Sequence, residues 1–234
     1  MADAKLAHLG DVLVRGSDAE LCKEGRWIND TVASYCLEMF RQGQRGAGDA
    51  QGVLFVDVAV MFLIAHADDD TVAQIARDIG VGRADVVLAL VSDSPFDDDA
   101  DHGMKANGGS HWSLCAYLAA DGVFYHYDSL PRAGMFGAQH AAAVRVAMAL
   151  APHVKGRDGR QFDDRCFAVA REVPAQTNSY ACGWHALSSA LKVSQHRAAC
   201  AGASPQDAEA LRQSVAEDIA RRAQEERRGT VDPP

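Results

Sequence analysis

Cys182, His111, Asp128 and Gln176 supply the four side-chain types that cysteine-nucleophile acyl transfer requires: thiol, imidazole, carboxylate and amide. Cys182 lies in QTNSYACGWHAL, followed at once by glycine and an apolar run, with Gln176 six positions before it. His111 stands at the entrance of a strand-like stretch, HWSLCAYL, and Asp128 closes the next one, VFYHYD. A thiol becomes a strong nucleophile when its surroundings favour the thiolate. Cys182 opens a predicted helix, whose free N–H groups and dipole favour an anion, and an imidazolium partner would do the same. Gly183 lets a second chain approach closely. Asp128 would fix the imidazole tautomer and stabilise the imidazolium. Gln176 would donate its side-chain N–H to the tetrahedral oxyanion, joined by the backbone N–H of Cys182.

The other cysteines, Cys22, Cys36, Cys115, Cys166 and Cys200, read as small apolar residues rather than reactive thiols. Cys182 and His185 form a C-x-x-H pair, but no second pair stands at zinc-ligand spacing, so neither a metal nor a cofactor is expected.

The elements that position these groups follow from periodicity and turn signals. Trp112 to Leu118 and Val123 to Asp128 read as consecutive strands around Asp121-Gly122. A two-residue turn there would pair Cys115 with Asp128 and leave the carboxylate ~13 Å from His111. A wider loop of about residues 117 to 122, or a bulge, brings the two opposite each other and is the expectation. Asn29 to Gln42 carries Val32, Tyr35, Cys36, Met39 and Phe40 on one helical face, with Asn29 or Asp30 available as cap. Further helices are predicted over Asp57 to Ala67, Thr71 to Ile79 (ended by Gly80), Ala138 to Leu150, Cys182 to Val193 and Pro205 to Arg227. Val86 to Val91 reads as a buried central strand, and Phe167 to Val173 as a strand stopped by Pro174. Ser92 to Gly109 is an acidic loop. Helices gather first and last with strands between them, so the class is α+β.

With 234 residues, the chain is expected to form one domain over 1–234, its core spanning about 10–225 and a short polar tail 226–234. Hydrophobic residues at 48% and charged residues at 24% describe an ordinary globular chain rather than a disordered one. The net charge of −9 and the lack of a clustered basic face argue against a nucleic-acid partner. No apolar run reaches the ~20 residues of a membrane span, and the N-terminus lacks the basic-then-apolar order of a signal peptide. Six cysteines in such a chain are expected to be reduced thiols, which points to the cytosol or nucleus.

Taken together, Trp27-Ile28-Asn29-Asp30, Gly109-Ser110-His111-Trp112-Ser113-Leu114, Phe124-Tyr125-His126-Tyr127-Asp128-Ser129 and the stretch from Val173 to Gly183, VPAQTNSYACG, resemble the cysteine proteases specific for ubiquitin-like modifiers. The FHYDS-like and PAQ-x-NSY-x-CG segments look most like the deneddylase, sentrin-specific-protease-like branch, which removes the Nedd modifier. The resemblance covers residues from about 10 to 225. It implies a papain-like fold of the ubiquitin-like protease type, a central mixed sheet flanked by helices. It further implies catalytic roles for His111, Asp128, Cys182 and Gln176, and a substrate site of Trp27, Asn29, Asp30, Trp112 and Gly183. In that reading Trp27 and Trp112 clamp a tunnel that admits only a Gly-Gly tail, and Asp30 meets basic groups of the modifier. Trp184 reads as core. The implied partners are a Nedd-type modifier and conjugates such as cullins, handled by a monomer. One departure stands out: the family usually has aspartate immediately before the nucleophile, where this chain has Ala181. Other readings are a SUMO- or ubiquitin-directed protease of the same fold, a catalytically weak modifier-binding module, and an acetyl-transferring enzyme, which the intact tryptophans disfavour.

Overall fold

The computed structural model describes residues 3–46, 52–93, 110–130, 138–157 and 159–229. In chain order the elements are β1 (Lys5–Leu9), β2 (Val12–Arg15), α1 (Gly16–Glu20), α2 (Asp30–Gly46), β3 (Val53–Val56), α3 (Val58–His66), α4 (Asp69–Ile79), β4 (Val86–Ser92), β5 (Trp112–Leu118), β6 (Val123–Tyr127), α5 (Ala138–Leu150), β7 (Phe167–Val169), α6 (Cys182–His196) and α7 (Pro205–Gly229). Helix starts follow the capping chemistry of the sequence. Asn29 Oδ1 accepts from the Val32 N–H at 3.0 Å, Asp57 from Ala59 at 2.9 Å, and Asp68 from Thr71 at 2.8 Å. Gly80 ends α4 in the left-handed conformation, φ 81°.

β3 to β7 form one sheet in sequence order, parallel at both outer pairs (β3–β4 and β6–β7) and antiparallel at the two inner ones. The sheet is therefore mixed, and helices cover both sides. Even-numbered positions of β4 and β5, such as Leu88, Leu90, Leu114 and Ala116, pack in one cluster with α2, α6, α7 and the β1–β2 hairpin. Odd-numbered positions, such as Val87, Ala89, Cys115 and Tyr117, pack in a second cluster with α3, α4 and α5. A strand covered on both faces needs no polar side, which is why β4 reads VVLALVS. The α+β class with a mixed, helix-flanked sheet is thus the observed architecture.

The differences from the sequence reading have local causes. The β5–β6 connection is a four-residue loop: Leu118 pairs with Val123, and the Gly122 N–H bonds Leu118 O at 2.9 Å. This loop is shorter than the one expected over 117 to 122 and longer than a two-residue turn. β7 stops at Val169 rather than Val173: Ala170 makes one more bond, to His126 O, and the chain then turns at Glu172, whose φ is 58°. The β1–β2 hairpin and β3 have no counterpart in the sequence reading, because strands of four or five residues carry too short a pattern. Ala7 and Leu9 of β1 are fully buried, so the packed core starts before residue 10. α7 runs on to Gly229, and Glu226 accepts from the His8 N–H at 2.8 Å. Most of the acidic loop, residues 94–109, lies outside the described residues.

Candidate active site

Three element ends meet at one end of the inner strands: the entrance of β5, the exit of β6 and the first turn of α6. Asp93, directly after β4, brackets the residues entering β5. Its carboxylate accepts from the Ser110 N–H (2.6 Å), the His111 N–H (2.7 Å) and the Ser110 hydroxyl (2.7 Å), while its own N–H donates to His111 O at 3.2 Å. The backbone of His111 is therefore held on both sides before its ring does anything.

Continuing the β5–β6 ladder past Leu114 and Tyr127 sets Asp128 level with Ser113, two residues short of His111. Two strand residues span ~6.6 Å, a gap that the side chains close. His111 Nε2 lies 2.7 Å from Asp128 Oδ1, which also accepts from the Leu130 N–H at 2.9 Å. A carboxylate can only accept, so Nε2 carries a proton and Nδ1 is the ring nitrogen left for Cys182, whose side chain interacts with the ring. Burial alone would depress the imidazole. The hydrogen bonds to Asp128 and Cys182, with the charges of both groups, overcome it and push His111 up to about 9. Asp128 moves the opposite way. Burial raises its carboxyl, but the His111 and Leu130 hydrogen bonds hold it below the ordinary carboxylate range.

Cys182 is 2% exposed and is the first residue of α6, a helix of 15 residues, so its backbone lies in the turn that carries the free N–H groups and the positive end of the dipole. Ala181 provides no capping side chain. Asn178 Oδ1 instead accepts from the Tyr180 N–H at 3.1 Å and the Ala181 N–H at 2.9 Å, folding the loop that leads into Cys182. At four other cysteines burial works against the thiolate. It pushes Cys22 to about 11 and Cys115 to about 12, and raises Cys36 and Cys200 as well. His185 Nδ1 lies 3.2 Å from Ala203 O, and burial lowers its affinity for a proton.

Gln176 is buried, with its Oε1 accepting from Ser129 Oγ at 2.8 Å and its Nε2 donating to Asn178 O at 2.6 Å.

The expected substrate residues divide. Trp27 is 42% exposed, Trp112 is half-buried against the core, and Trp184 is fully buried. A Cβ on Gly183 would lie 2.5 Å from Ile28 Cδ1 and 3.4 Å from Trp112 Cδ1. In this structure the space that the glycine leaves is filled by Ile28, which latches the Trp27 segment onto the first turn of α6. Asn29 is committed within the fold, capping α2 through Oδ1 and donating through Nδ2 to Asp18 at 2.8 Å. Asp30 opens α2 half-buried, and burial, reinforced by Asp57, raises its carboxyl. Asp93, Ser129 and Asn178 hydrogen-bond the residues of this region, and the sequence reading misses them. Each carries a signal: an acceptor ending an apolar strand, a hydroxyl beside the orienting carboxylate, and an asparagine placed for a local turn.

Comparison with known proteins identifies the family and the fold. The Ulp1 protease family, C-terminal catalytic domain, matches residues 104–227. Human sentrin-specific protease 8 is 28% identical over 178 residues, which cover 76% of this chain and 75% of that protein. Arabidopsis thaliana NEDD8-specific protease 1 is 23% identical over 189 residues, covering 80% and 74%. The X-ray structure of the C-terminal Ulp1 protease domain in complex with Smt3, the yeast ortholog of SUMO, superposes with a TM-score of 0.69 at 15% identity, covering 95% of this chain and 90% of that one. Residues 104–227 contain all four chemistry-bearing side chains and more than half of the chain, which therefore belongs to the Ulp1 protease family of cysteine proteases.

Proposed function

We propose that the chain is a thiol isopeptidase and peptidase that cleaves after the C-terminal Gly-Gly of a ubiquitin-like modifier, with a NEDD8-type modifier as its substrate. The observation that carries this reading is the imidazole of His111, which lies 2.7 Å from Asp128 Oδ1 and is pushed up to about 9 by its interactions with Asp128 and Cys182. The choice of modifier is supported by relatives whose names are sentrin-specific protease 8 and NEDD8-specific protease 1.

In the reaction, the Cys182 sulfur donates its electron pair to the carbonyl carbon of the terminal glycine, and the carbonyl π pair moves onto oxygen. Gln176 Nε2–H and the Cys182 backbone N–H stabilise that oxyanion. His111 delivers its Nδ1 proton to the departing lysine amine as the C–N bond breaks, leaving a thioester. His111 then takes a proton from water, which displaces the sulfur and yields a glycine carboxylate. Trp27 and Trp112 line the approach, and side chains larger than hydrogen are excluded between flat aromatic faces. Asp30 contacts basic groups next to the tail, and Gly183 leaves the turn beside the sulfur narrow. Cullin-type conjugates would be natural acceptor-linked substrates. The protein would work as a monomer in the cytoplasm or nucleus, a setting that suits its free cysteines.

Cys182→Ala is expected to abolish release of lysine from a modifier–lysine conjugate while leaving conjugate binding intact. Residual cleavage by that variant at wild-type rates would contradict the assignment. Gln176→Ala should cost about 10²–10³ in turnover, as for the loss of one oxyanion donor.

A further inference from the structure

We propose that Ser129 is the positioning residue of the oxyanion site, holding the Gln176 amide so that one Nε2–H faces the substrate. The inference rests on Gln176 being the oxyanion donor and extends that reading to a residue that makes no contact with the reacting atoms.

Ser129 is 4% exposed and Gln176 6%, so neither side chain has water as a ready substitute partner. Two bonds run between them: Ser129 Oγ donates to Gln176 Oε1 at 2.8 Å, and the Gln176 N–H donates to Ser129 O at 2.8 Å. The other end of the amide donates one Nε2–H to Asn178 O at 2.6 Å. A terminal amide can turn over, exchanging oxygen and nitrogen. Turned over here, it would set Oε1 against the Asn178 carbonyl oxygen, two acceptors at contact distance, and would take the oxygen away from the Ser129 hydroxyl that serves it. Both ends are thus specified, and one Nε2–H is left over. Remove the hydroxyl, and Oε1 is buried without its donor; the amide then rotates toward any alternative that satisfies it.

The placement in sequence is as informative as the distances. Asp128 and Ser129 are adjacent at the exit of β6. Asp128 orients the imidazole, and Ser129 orients the amide. One dipeptide therefore aligns both halves of the machinery, the proton carrier and the oxyanion donor, and any shift of this strand end moves both together.

The test is steady-state hydrolysis of a modifier bearing a fluorogenic C-terminal amide. Ser129→Ala is expected to lower kcat about 10-fold, the worth of one buried hydrogen bond, with KM unchanged and with the pH profile that His111 and Asp128 impose unchanged. In the double variant with Gln176→Ala, turnover should equal that of Gln176→Ala alone, because a positioning residue has no effect once its target is gone. Wild-type kcat in Ser129→Ala would overturn the proposal, and so would losses that multiply in the double variant. Ser129→Cys, close in volume and a weak donor, covers the case in which Ser129→Ala does not fold: it too should lose kcat several-fold, and wild-type kcat in it counts against the proposal. Full turnover in Gln176→Ala alone would instead remove the underlying reading of Gln176, a different result from any failure confined to Ser129.

Discussion

His111 sits between opposed influences, burial against a carboxylate and a sulfur, and the outcome is an imidazole that keeps its proton to about 9. Its folded value lies above the ordinary ~6.5 of an unfolded chain. The imidazolium therefore contributes its stability in full below about pH 6.5 and loses it as pH rises through about 9. Activity follows the same group. Because the leaving amine needs the His111 proton, kcat/KM is expected to hold steady through neutral pH and fall along a basic limb near 9. A pH–rate profile checks this, and a limb near 6.5 would show that the pair does not form. Asp128→Asn removes the carboxylate that raises His111, so the basic limb should move down and the rate fall by orders of magnitude, as for loss of an orienting triad carboxylate.

Among the elements, the first turn of α6 does the most positioning, and Gly183 shows how. A Cβ there would meet Ile28 at 2.5 Å, so Gly183→Ala must push Ile28, and with it Trp27, off the nucleophile turn. The expected cost is about 1–3 kcal/mol from overpacking, measurable by chemical denaturation, with a larger relative loss in kcat/KM. Unchanged stability and activity would mean that the latch is loose. This contact is invisible in the sequence, where glycine after a cysteine reads equally well as room for a ligand. Long-range contacts of this sort leave no local pattern, and the Asp93 bracket around Ser110 and His111 escapes a sequence reading for the same reason. What can be read is periodic or local. The apolar face of α2, the Asn29 cap and the all-apolar β4 each repeat a spacing or obey a capping rule. His111 and Asp128 are legible as a pair because they flank neighbouring strands, although the loop that sets their offset is shorter than the sequence suggests.

At the level of the whole molecule, a mixed sheet buried on both faces gives a firm base at whose strand ends β5, β6 and α6 converge. Cys182 is 2% exposed there, so a substrate of the proposed reaction must reach it as a thin extended tail, in keeping with the glycine at the proposed cleavage site. The chain carries a net charge of −9, which favours encounter with a basic partner face. Raising ionic strength from about 0.05 to 0.5 M, and so shortening the screening length, is expected to lower kcat/KM severalfold through KM with little change in kcat. Insensitivity to salt would remove long-range attraction from the account. The central claim, an activated Cys182 that recognises a Gly-Gly-ended modifier, is tested most directly by incubating the protein with NEDD8, SUMO and ubiquitin probes carrying a C-terminal electrophile and measuring intact mass. The account predicts a single covalent adduct, formed fastest with the NEDD8 probe, mapped to Cys182 and lost in Cys182→Ala. An adduct on another cysteine, or none with any probe, would contradict it.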